Sequence, residues 1–118
     1  MNELQKNGLI SAGIDLEDAM ERFMDNEAMM TKFLIRFLDD PSFSQLCRAM
    51  EQQDAESAFE AAHTLKGVAG NLSMKALFQQ TSALVEDLRQ KDLAAAAGKM
   101  AALEEQYETV RTALSALA

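Results

Sequence analysis

A chain of 118 residues that is 48% hydrophobic can bury one modest core, so a single domain is expected. A net charge of −8 with scattered Lys and Arg excludes nucleic-acid backbones and anionic membrane surfaces as partners, because both need a basic patch. No tryptophan, one tyrosine and one proline, among many good helix formers, favour helices over a sheet.

In chain order, residues 1–14 carry Gly8 and Gly13 and read as a partly extended lead-in, with the domain proper at 15–118. Asp15 is an N-cap for a short helix bearing Leu16, Ala19, Met20 and Phe23 on one side. Asn26 caps the next, whose Met30, Phe33, Leu34, Phe37 and Leu38 are expected to face inward. Asp39-Asp40-Pro41 breaks it, since proline disfavours helix at the residue before it. Ser42 with Gln45 has capping-box spacing and opens a segment with Phe43, Leu46, Cys47 and Met50, which continues the previous helix after a kink.

Asp54 caps a helix over roughly 55–71, and Ser73 starts another over about 74–90, with Leu77, Phe78, Thr81, Leu84, Val85 and Leu88. Asp92 caps the last, where Met100, Leu103, Tyr107, Val110, Leu114 and Leu117 recur at steps of three and four. Short connections favour antiparallel neighbours. The expected fold is all-α: an antiparallel four-helix bundle with a short additional N-terminal helix. No apolar run approaches the roughly 18 residues of a membrane span, and the N-terminus lacks the regions of a signal peptide. A cytoplasmic location is expected, with the lone Cys47 a reduced thiol.

The only histidine, His63, lies in the 55–71 helix. Ala58, Ala62, Leu65, Ala69 and Leu72 form one buried stripe, and His63 points roughly 140° away from its centre, toward water. Lys66 and Gly67 follow one turn later on the same side. Glycine inside a helix costs about 1 kcal/mol relative to alanine, so Gly67 and Gly70 need a reason, such as close approach of another surface. Gly70-Asn71 also has the composition of a frayed helix end, but Gly67 is too early for that. Phe59, four residues before His63 and off the stripe, reads as an exposed apolar patch suited to a partner, or else as packing against the preceding segment.

Several chemistries are excluded. Glu60 and His63 have the Glu-x-x-His spacing of di-iron bundles, which need two such motifs; one histidine rules that site out, and no other metal site is expected. There is no nucleophile elbow, and no glycine-rich phosphate loop to bind ATP. The eight methionines read as core filler.

Ala62-His63-Thr64-Leu65-Lys66-Gly67, followed by Gly70-Asn71-Leu72, resembles the signature of histidine-containing phosphotransfer domains of bacterial phosphorelays. Ile14-Asp15 and Phe33-Leu34 to Phe37 also fit that family's layout, so the resemblance covers nearly the whole chain. It implies that His63 accepts a phosphoryl group on Nε2 from an aspartate of a receiver domain and passes it to another receiver. It further implies that Lys66 is an electrostatic partner of the phosphoryl oxygens and that Gly67 leaves room for the receiver; Phe59 and Gly70, from their own places beside His63, are expected on the partner-binding face.

Such a carrier has no kinase or hydrolase activity and no cofactor of its own, the Mg²⁺ coming with the receiver. A monomer is expected, either free-standing or excised from a hybrid kinase. Ser73 departs from the glycine many members have at that turn. Val85 stands where a polar residue often orients the ring through Nδ1, leaving Gln79, Ser82 or Glu86 as substitutes. The rival reading is an unphosphorylated helical interaction module docking through Phe59, His63 and Gly67.

Overall fold

In a computed structural model describing residues 1–118, seven α-helices run in the order α1 (Glu3–Ser11), α2 (Leu16–Arg22), α3 (Glu27–Arg36), α4 (Ser42–Glu51), α5 (Ala55–Asn71), α6 (Lys75–Arg89) and α7 (Leu93–Ser115). A single 3₁₀ turn, Phe37–Asp39, joins α3 to α4, so these two act as one kinked rod. That rod, α5, α6 and α7 form the antiparallel four-helix bundle, with α5 packed between α4 and α6. Its flanks allow this: Ala58, Ala61, Ala62 and Ala69 are buried, and their small side chains let the neighbouring helices come close. Leu34, Leu46, Leu65, Leu77, Leu84, Leu103 and Leu114 fill the space between, each contributing about 1.5–3 kcal/mol by leaving water.

The expected caps hold at four places. Asp15, Asn26, Asp54 and Asp92 each accept a backbone N–H three residues on, at 3.0–3.1 Å. The connections at 52–54, 72–74 and 90–92 share one construction. Gln53, Ser73 and Lys91 sit at left-handed φ of +55°, +58° and +58°. The next N–H in each case returns to a carbonyl five residues back, from Asp54 to Ala49, Met74 to Ala69 and Asp92 to Asp87. This is the Schellman closure of a helix end.

The structure corrects several expectations. Residues 1–14 are not an extended lead-in: α1 is a helix whose Asn2 and Gln5 form a reciprocal capping box. It docks on α7 with Leu9 buried, so two short helices precede the bundle rather than one. Ser42 and Gln45 do not form a capping box; the Asp40 carboxylate accepts the Ser42 N–H at 2.9 Å, and Pro41 takes the cap position. Phe33 turns outward and stacks on Phe23, with ring centroids 5.6 Å apart. Ser73 does not start α6 but occupies the left-handed turn before it, where its carbonyl accepts the Asp15 N–H at 2.8 Å. Gly13 packs against the same corner; a Cβ there would lie 2.5 Å from the Ala76 Cβ, so only glycine fits.

Candidate functional site

The buried stripe of α5 is as expected: Ala58, Ala62, Leu65 and Ala69 have no exposure and Leu72 has little. His63 therefore stands exposed on the outer face of a rigid helix. Its ring is 5.8 Å, centroid to centroid, from the Phe59 ring, tilted by 39°. On the other side it opens onto a depression of about 340 Å³ lined also by Lys66, Gly67, Gly70, Asn71 and Phe78, with Arg22 and Lys75 at its rim.

The two glycines have different physical causes. A Cβ at Gly67 would meet nothing within 4 Å, so the space beside the imidazole is open. A Cβ at Gly70 would lie 3.2 Å from the Phe78 ring, so the room this glycine frees is filled by the chain's own α6. Gly70 remains on the wall of the depression, but its absence of a side chain is accounted for inside the domain. Lys66 leans the same way, with its ammonium 5.9 Å from the Phe78 ring centroid in a cation–π arrangement. It is half-exposed and lines the depression with His63.

Phe59 is not an exposed patch. It is half-buried, packs against the core and is covered by the Arg89 guanidinium at 5.2 Å. The cover comes from the far end of α6, not from the segment preceding α5. Val85, which has no polar group to orient the ring, is fully buried. The Ser82 hydroxyl donates to the Phe78 carbonyl at 2.7 Å, Glu86 pairs with Arg89 at 3.4 Å, and Gln79 is exposed. The ring's aromatic neighbour on α5, Phe59, is what stands against it.

Sequence reading missed Arg22, Lys75 and Asn71 as neighbours of the histidine. Asn71 lies four residues beyond Gly67, a spacing that puts the two on one side of the helix, and could have been found. Arg22 and Lys75 could not, because a single carboxylate brings them there. Asp18 on α2 accepts from Arg22 Nε at 2.9 Å and from the Ser73 hydroxyl at 2.6 Å, and lies 3.5 Å from Lys75 Nζ. The Ser73 hydroxyl bond, then Arg22 and Lys75, hold the Asp18 pKa down at about 2.

No curated protein and no solved structure gives a significant match to the chain. No helix is long and apolar enough to cross a membrane. The family model described as Hpt domain matches residues 28–113, which takes in the kinked rod, all of α5 and α6 and most of α7. The chain belongs to the Hpt domain family, helical phosphocarriers that work with receiver domains in two-component signalling.

Proposed function

We propose that this domain is a phosphorelay intermediate in which His63 accepts a phosphoryl group from a receiver aspartate and passes it to the aspartate of another receiver. One observation carries the reading: the only imidazole of the chain is exposed on a rigid helix, with open space at Gly67 and the Lys66 cation on the same side. The Nε2 lone pair attacks phosphorus in line as the bond from phosphorus to the aspartyl oxygen breaks and the electron pair leaves with the carboxylate. The Nδ1 proton stays on the ring, leaving an imidazolium that the exposed site keeps in contact with water. Return transfer runs the same steps backward, with the acceptor carboxylate as nucleophile.

Such a transfer needs positioning and charge neutralisation rather than acid–base groups, and a helix-mounted ring supplies the first. Lys66 supplies part of the second, and the receiver brings Mg²⁺ with its aspartate. The domain works as a carrier without a catalytic reaction of its own. A half-buried Phe59 under Arg89 offers little apolar surface to the rival interaction module.

The test is incubation with receiver domains loaded from acetyl phosphate. Acid-labile, alkali-stable label on the native chain, absent from His63→Gln, is the expected result. The exposed position should hold the stability change of His63→Gln to about 0.5 kcal/mol or less. Label retained by a folded His63→Gln variant would remove His63 from the mechanism.

A further inference from the structure

Charge along the outer face of α5 changes sign across His63. Glu56 and Glu60 are exposed on its N-terminal side, whereas the depression on its C-terminal side carries Lys66, Arg22 and Lys75. In a chain of net charge −8 that grouping of cations is selective. Arg22 and Lys75 are also held in place, because both meet Asp18, which is itself bound to the buried Ser73 of the α5–α6 turn. They stay accessible nonetheless, with side chains 47% and 51% exposed. Arg22 engages Asp18 through Nε, which leaves the two terminal amino groups of its guanidinium for another acceptor.

We propose that Arg22 and Lys75 form a second electrostatic contact with the receiver, engaging carboxylates beside its phosphoaspartate, and so help select which receivers are served. This rests on the transfer reading above. A receiver that brings Mg²⁺ must surround it with oxygen ligands, so its active face is rich in carboxylates. The guanidinium fork matches a carboxylate in geometry as well as charge. Fixing both cations on Asp18 beforehand lowers the ordering cost of the contact. Lys66 serves the phosphoryl group, while Arg22 and Lys75 serve the surface around it.

The experiment takes a receiver domain, loaded from acetyl phosphate with Mg²⁺, that labels the native chain. Rim charges act on encounter and salt dependence more than on chemistry. The Arg22→Gln/Lys75→Gln variant should therefore need about fivefold more receiver for half-maximal transfer at low ionic strength, with a shallower salt dependence. Its single-turnover rate at saturating receiver should stay within about twofold of native. The Arg22→Lys/Lys75→Arg variant, which keeps both charges, should recover most of the loss.

Unchanged half-saturation and salt dependence would overturn this inference and leave the transfer role standing. A loss that appears only in the saturating rate, or that comes with a lowered melting temperature and no recovery in the charge-keeping variant, would overturn it too. Failure of every receiver to label the native chain would instead overturn the transfer reading, and this inference with it.

Discussion

Gly67 and Gly70 stand three residues apart on α5, yet one faces open space and the other faces the Phe78 ring at 3.2 Å from where its Cβ would be. The outer face around His63 and Gly67 is empty because nothing of the domain is there. The flank around Gly70 is empty of side chain because α6 has filled it. The same helix-weakening residue thus leaves open space beside the imidazole in one place and permits tight internal packing in the other. A glycine in a helix signals that something needs the room without saying what.

The largest expected effect lies on the outer face. Lys66→Ala should slow single-turnover transfer by about tenfold or more at saturating receiver, since in the proposed transfer it removes a cation from the side where charge would be neutralised. Its effect on the receiver concentration for half-maximal transfer should be smaller. A saturating rate equal to native would reduce Lys66 to packing over Phe78.

A second expectation compares the two glycines directly. Gly67→Ala should stabilise the domain by up to about 1 kcal/mol, the ordinary helix propensity difference. Gly70→Ala should gain less, because the Phe78 ring must shift to admit the methyl group. In a Phe78→Ala background the two gains should become equal. Denaturant melts of the resulting double-mutant cycle measure the difference, and equal gains in the native background would contradict the packing account.

Much of this arrangement was legible in the sequence, for reasons that can be named. The span of α5 was readable because Asp54 caps it and its alanine and leucine stripe keeps a helical period to the end. The exposure of His63 followed from the same stripe. Helix α1 was not readable in that way, since Leu4 and Ile10 are exposed and Leu9 is its one buried residue, so no stripe forms. Phe59 was misplaced because its cover, Arg89, lies 30 positions away on another helix. The Asp18 cluster depends on the left-handed turn at Ser73 and on α2 folding back over it, neither of which has a local signature.

The smallest expected effect concerns that corner. The pKa of Asp18 is lowered from 3.8 to about 2, so its ionised form is favoured by folding. Its contribution is present above the unfolded value near 3.8 and is lost as pH falls through about 2. The melting temperature of Asp18→Asn should accordingly lie below native at neutral pH, with the gap closing as pH is lowered through that window. A gap that stays constant with pH would mean that the carboxylate charge is not what holds α2 to the α5–α6 turn.

The central claim is that a receiver reaches His63 over Gly67, and Gly67→Gln tests it most directly by paired thermal melts and transfer kinetics. Because the site is open, the variant should melt no lower than about 4 °C below native, a shift worth less than about 1 kcal/mol for a domain of this size. The added side chain should nonetheless hold the aspartyl phosphate out of line, where about 1 Å of misplacement can cost about 100-fold, and transfer should fall by at least about tenfold. Full transfer activity in the folded Gln variant would mean that no partner approaches His63 along this face.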